Sequence, residues 1–184
     1  MYDAKDEYRL NTLPRTITLV GMMGVGKTSV GRLLARRLCV PFKDSDIEVE
    51  AAAGCSVANI FEWYGEQAFK DAERRVIQRL LGEKCHILST GVEAFITPET
   101  RTLLKEQSHS VWLRASLETI MPRVARRSHR PQLEKGDKKE ILEDLMREYY
   151  PIYAEADIVI DCDHQPPEVT VDMIINEMET KFWK

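Results

Sequence analysis

Eight consecutive residues, Gly21-Met22-Met23-Gly24-Val25-Gly26-Lys27-Thr28, combine glycines, a lysine and a hydroxyl in the spacing G-x-x-x-x-G-K-[ST]. Glycines let backbone N–H groups turn inward onto phosphate oxygens, and a helix opening at the lysine adds the positive end of its dipole. Lys27 suits the β- and γ-phosphates of a nucleotide, and the Thr28 hydroxyl suits a Mg²⁺ ion. ATP and Mg²⁺ are therefore the expected ligands, with Gly24, Val25, Gly26, Lys27, Thr28 and Ser29 as the contacting residues. Further on, Asp44-Ser45-Asp46 sets two carboxylates two residues apart. One can hold the water shell of a metal while the other meets an acceptor hydroxyl as base. The alternative is a solvated turn, or Asp46 as the cap of the helix that follows. Arg126, Arg127 and Arg130 stand in a basic, polar stretch. Arginines there can close over phosphates and stabilise the charge of a transferred group; otherwise they form a basic surface loop.

These residues need elements to hold them. Thr16-Ile17-Thr18-Leu19-Val20 is β-branched and apolar and runs straight into the glycine loop, and residues 27–38 carry Val30, Leu33, Leu34 and Leu38 at helical spacing. Residues 40–44 read as a short strand ending on acid, and residues 48–53 as a helix stopped by Gly54. Ser56 caps a helix to Trp63, and Gly65 separates it from a longer one over 68–81. Residues 86–90, 110–113 and 157–160 read as further strands. Helices are expected from Thr97, from Ser116 to about Arg127, up to Tyr150, and from Pro167 towards Lys181. Strands alternating with helices predict an α/β fold, P-loop NTPase-like, with a five-stranded parallel sheet between two helical layers. Ligands in such folds sit beyond the carboxyl ends of the strands, here after Val20, Phe42, Thr90, Leu113 and Ile160.

At 184 residues the chain suits one domain, read as 1–184, with residues 1–14 as a polar extension unlike a signal peptide. A net charge of −4 and the absence of a long apolar run give no reason to expect nucleic acid or a membrane as partner. A cytoplasmic monomer acting on a small molecule is expected. Cys39, Cys55, Cys85 and Cys162 form no C-x-x-C and read as small hydrophobes, and the four histidines lack metal-ligand spacing. Trp63, Trp112 and Trp183 read as packing residues, as do Met22 and Met23.

From about Thr16 to Met178 the chain resembles the shikimate kinase family. The likeness rests on the glycine loop, Asp44-Ser45-Asp46, Gly65-Glu66 with Phe69 and Glu73, Thr90-Gly91, Arg130-Pro131 and Pro151-Ile152-Tyr153, in that order. It implies ATP-dependent phosphorylation of a ring hydroxyl of shikimate. It also implies a substrate-binding region at about 45–75 and a lid at about 126–138. Lys27, Asp46 and Arg130 would carry the chemistry, with Asp46 on the acceptor hydroxyl and Arg130 on the phosphates. Thr28 and, through water, Asp44 would hold Mg²⁺. Arg126 would lie against the adenine and Gln165 would touch the nucleotide.

The acceptor positions implied by the resemblance are Asp46, Lys70, Gly91, Val92, Glu93 and Tyr149, and here the chain departs from the family pattern. Lys70 and Tyr149 stand where arginines are usual, and a glycine triplet is reduced to Gly91-Val92-Glu93. Lysine keeps attraction but loses the planar fork, and tyrosine offers a hydroxyl without charge. Arg147 lies close enough in sequence to substitute for the missing arginine, and Glu93 can pair with Lys70. Three readings stand: a shikimate kinase, a kinase of another polyol, and a non-catalytic ATP-binding module.

Overall fold

The computed structural model describes residues 13–126 and 136–183. Five parallel strands, β1 (Thr16–Val20), β2 (Phe42–Asp44), β3 (Ile87–Ser89), β4 (Ser108–Arg114) and β5 (Ile158–Asp161), form one sheet in the order β2-β3-β1-β4-β5. Every residue of β1 is buried, as a central strand covered on both faces must be. Seven helices among the described residues connect and cover the strands: α1 (Lys27–Arg37), α2 (Ser45–Ala53), α3 (Val57–Leu81), α4 (Pro98–Gln107), α5 (Leu117–Ala125), α6 (Lys138–Tyr153) and α7 (Pro167–Lys181). The expected α/β fold with a five-stranded parallel sheet is therefore present.

Two contacts set the floor of the future site. A Cβ on Gly31 of α1 would lie 2.6 Å from Phe42 Cε2 and 3.2 Å from Leu19 Cδ1, so the bare backbone lets α1 lie tight against β1 and β2. Met22 and Met23 are each 1% exposed and anchor the glycine loop in the core, as expected of packing residues.

Several boundaries differ from the sequence reading. Helix α2 starts at Ser45 rather than near Glu48, because Asp44 is its cap: Asp46 N–H donates to Asp44 Oδ1 at 3.1 Å. Asp46 is thus not the cap of α2. The two helices expected on either side of Gly65 run as one element, α3, broken internally where Gly65 takes φ 84° and ψ 173°. Such a conformation is nearly closed to residues with a Cβ, so the kink is written into that glycine. Helix α6 passes Tyr150 and Pro151 to reach Tyr153. The fully buried Tyr153 ring and its hydroxyl, which donates to Val92 O at 2.6 Å, hold the last turn in place.

Two assignments to packing are corrected. Trp63 is 59% exposed beside the Gly65 kink, because its side of α3 faces solvent, whereas Trp112 is buried. Cys39 is exposed with φ 52°, closing the turn after α1, and only Cys162 of the four free cysteines is buried.

Candidate active site

The donor half is assembled by the junction of β1 and α1. Gly26 caps α1 in the left-handed region with no side-chain capping bond, and the first turn holds no acidic residue. The orphan N–H groups and the positive dipole end of α1 are therefore free of a competing side chain, which is the arrangement an anion needs. Residues Gly24, Val25, Gly26, Lys27, Thr28 and Ser29 all line one cleft of about 280 Å³. Lys27 Nζ donates to Gly21 O at 2.7 Å and Met22 O at 3.0 Å, which holds its charge against the loop it serves.

Strand β2 delivers the next groups. Thr28 Oγ1 donates to Asp44 Oδ2 at 3.2 Å, while the other oxygen of Asp44 caps α2. One carboxylate thus fixes a helix and faces the phosphate loop at once. A hydroxyl and a carboxylate at this separation are hard oxygen donors of the kind Mg²⁺ prefers. Asp46, two residues further, lines the same cleft together with Gly91 and Val92 from the loop after β3. Residues following β1, β2, β3 and β5 meet here, four of the five strand ends singled out by the sheet rule.

Beneath Asp46 lies a buried carboxyl. Glu73 is 2% exposed and accepts a hydrogen bond from Ser45 Oγ at 3.4 Å, while Ser45 Oγ accepts from Gly91 N–H at 3.0 Å. Burial, and then the negative charge of Asp46, pushes the Glu73 carboxyl up to about 8. The packing is close: a Cβ on Gly91 would sit 2.5 Å from Glu73 Oε1 and 3.0 Å from Asp46 Oδ1.

The loop 91–93 separates this cleft from a second recess of about 440 Å³, lined among others by Lys70, Glu66, Glu93, Glu148 and Tyr149. Lys70 Nζ lies 2.5 Å from Glu66 Oε1 and 3.3 Å from Glu93 Oε2. The side-chain bond to Glu66 is the main reason that the Lys70 ammonium is held above its ordinary pKa. Tyr149 is buried, and burial followed by the charge of Glu93 pushes its hydroxyl up to about 12, so it stays neutral. The structure brings the predicted acceptor residues Asp46, Lys70, Gly91, Val92, Glu93 and Tyr149 into two adjoining spaces separated by one short loop.

Not every expected residue joins them. Arg147 pairs with Asp144 at 2.9 Å, with a side chain 78% exposed, and does not replace the missing arginine. Arg126 is the exposed C-terminal cap of α5, outside the described lining of the cleft. Gln165 does line the cleft, and its side-chain amide is bound to Asp161 O at 2.8 Å and Thr170 Oγ1 at 3.0 Å. Arg127 and Arg130, with most of the expected lid, lie outside the described residues, as do residues 1–12 of the N-terminal extension. Sequence reasoning missed Arg123, whose guanidinium donates to Val25 O at 3.3 Å and to Gly24 O at 3.4 Å and lines the nucleotide side of the cleft. No sequence signal pointed to it, because its partners lie about a hundred residues away.

The fold and the site together define a P-loop kinase of small molecules. A family model described as shikimate kinase matches residues 23–179. A shikimate kinase from Paramagnetospirillum magneticum is 49% identical over 166 residues, spanning 90% of this chain and 85% of that protein. One from Caulobacter vibrioides is 49% identical over 89% of this chain and 82% of its own length. Among solved structures, a shikimate kinase from Acinetobacter baumannii in complex with shikimate superposes with a TM-score of 0.90, at 32% identity, over 97% of this chain and 99% of that one. The chain belongs to the shikimate kinase family.

Proposed function

We propose that this protein transfers the γ-phosphoryl group of ATP to a ring hydroxyl of shikimate, giving shikimate 3-phosphate. The observation that carries the reading is the continuous cleft in which the phosphate loop, the Thr28–Asp44 pair at 3.2 Å and Asp46 share one space. The full-length likeness to proteins named shikimate kinase supplies the acceptor.

In this reaction the acceptor oxygen attacks the γ-phosphorus and the bond from the γ-phosphorus to the β–γ bridging oxygen breaks. Asp46 receives the hydroxyl proton, and ADP carries away the electron pair. Lys27 and the N–H groups at the start of α1 hold the phosphates and meet the charge that develops on them. Thr28 and Asp44 would hold Mg²⁺, which when bound neutralises charge on the β- and γ-phosphates. Glu73, keeping its proton near neutral pH, adds no second charge beneath Asp46. Free cysteines fit a reducing compartment, and we place the reaction in the cytoplasm. No helix among the described residues is long and apolar enough to cross a membrane.

The pairing of Lys70 with two glutamates favours a second reading, in which the acceptor is a less anionic polyol. One assay separates them: ADP release measured with shikimate and with uncharged polyols, with ³¹P NMR of the product. Shikimate-dependent release with a new phosphomonoester signal, abolished by Lys27→Ala, is expected. Release with a neutral polyol and none with shikimate would sink the first reading in favour of the second.

A further inference from the structure

The acceptor of the proposed reaction carries a carboxylate, and something must receive it. In the recess beyond the loop 91–93, Lys70 is the one cationic side chain among the described lining residues, alongside Glu66, Glu93, Glu99 and Glu148. Its ammonium is already engaged by two carboxylates, and these are not equivalent. Glu66 lies one helical turn before Lys70 with a side chain 61% exposed, so its rotation into water costs little. Glu93 is only 19% exposed at the Lys70 contact and sits on the loop whose Gly91 packs on Asp46 and Glu73. That loop is tied down again at Val92, whose carbonyl accepts from the buried Tyr153 hydroxyl. Glu93 therefore cannot retreat as freely as Glu66.

We propose that Glu93 is a specificity-determining residue: it takes the place on Lys70 that the carboxylate of an acceptor would otherwise occupy. A carboxylate entering this recess must either displace Glu93 or add a third negative charge around one lysine, and Tyr149 has only a neutral hydroxyl to offer it. The protein thus recognises its acceptor mainly through hydroxyls near Asp46 and gains little from the acid group. The inference rests on shikimate, or a compound of its build, entering this cleft. It concerns the charge of the acceptor rather than the transfer itself.

The test compares shikimate with its uncharged methyl ester. Calorimetry on the full chain saturated with ADP and Mg²⁺ gives the two affinities, and steady-state assays give KM and kcat. For the wild-type chain the acid and the ester should bind within about threefold of one another, the two charges on Lys70 offsetting its attraction. Glu93→Gln should strengthen the acid by about tenfold and change the ester by less than about twofold. Adding Lys70→Met to that variant should remove the gain. A wild-type chain that already prefers the acid tenfold, a variant that improves acid and ester equally, or a variant that binds no acid at all would each overturn the proposal. Turnover is read separately: binding that follows the expected pattern with no phosphorylation of either compound would reject the kinase reading and leave the assignment of Glu93 standing.

Discussion

The donor half of the cleft is built chiefly from backbone, whereas the acceptor half is built from side chains that bind one another. At the phosphate loop, a glycine cap and an acid-free first turn leave the first N–H groups of α1 without a side-chain cap, and Lys27 is held by two backbone carbonyls. Across the loop 91–93, Lys70 is bound to Glu66 and Glu93, Tyr149 is buried and neutral, and Arg147 is turned out to Asp144. A backbone site survives changes of side chain around it, because its donors belong to the fold. A side-chain site is rewritten by two or three substitutions. The donor chemistry of this chain therefore follows from its architecture, and its acceptor preference depends on a few charges.

The sharpest way to break that contrast is to damage each half in turn. Asp46→Asn should lower kcat by roughly a thousandfold, the loss expected for a positioned base, with ADP affinity unchanged by isothermal calorimetry. Lys27→Ala should lower kcat by roughly a hundredfold or more and weaken nucleotide binding as well. If Asp46→Asn instead abolished ADP binding, the two halves would not be separable.

Gly91→Ala probes the seam. Its new methyl group would press on Glu73 Oε1 and Asp46 Oδ1, at 2.5 and 3.0 Å. Displacing the base by a fraction of an ångström should cost roughly tenfold to a hundredfold in kcat/KM, with a melting temperature close to wild type. Unchanged kinetics would show that Asp46 tolerates movement.

A smaller effect concerns stability. The Glu73 carboxyl, ordinarily near 4.5, stands at about 8 in the folded chain. Below 4.5 both folded and unfolded states hold the proton, and between 4.5 and 8 the folded state alone keeps it. Stability associated with Glu73 is therefore lost as pH rises through that window. Glu73→Gln, which can still accept from Ser45, removes this dependence. Its melting temperature relative to wild type should rise from pH 5 to pH 8.5, and a constant difference would show that Glu73 does not titrate there.

How much of this was legible from the sequence depends on the range of the interaction. The loop, its flanking strand and helix, and the parallel sheet follow from spacing and periodicity within about twenty residues, and all are present. The Lys70–Glu93 pair was foreseeable once both residues were placed near one ligand. Glu73 was visible as part of a pattern, but its raised pKa was not. That shift arises from burial and then from the charge of Asp46, which is distant in sequence, against the opposing hydrogen bonds of Ser45 and Gly91. The alternative that made Asp46 the helix cap fails because the cap is Asp44, and two acids in sequence carry no geometry to choose between them. Arg123 escaped notice because its partners are loop carbonyls about a hundred residues away.

The bare backbone of Gly31 acts as a spacer gauge. By letting α1 lie against Phe42, it sets the gap between the helix that carries Thr28 and the strand that ends in Asp44. Mg²⁺ takes oxygen at 2.0–2.1 Å and Ca²⁺ at 2.3–2.6 Å, so a few tenths of an ångström in that gap is the difference between the two ions. Gly31→Ala, which must push Phe42 aside, should shift the ion that best supports turnover from Mg²⁺ towards larger cations. The selectivity of the proposed Mg²⁺ site would then be set by a methyl group that is missing one helical turn from Thr28, on the same side of α1.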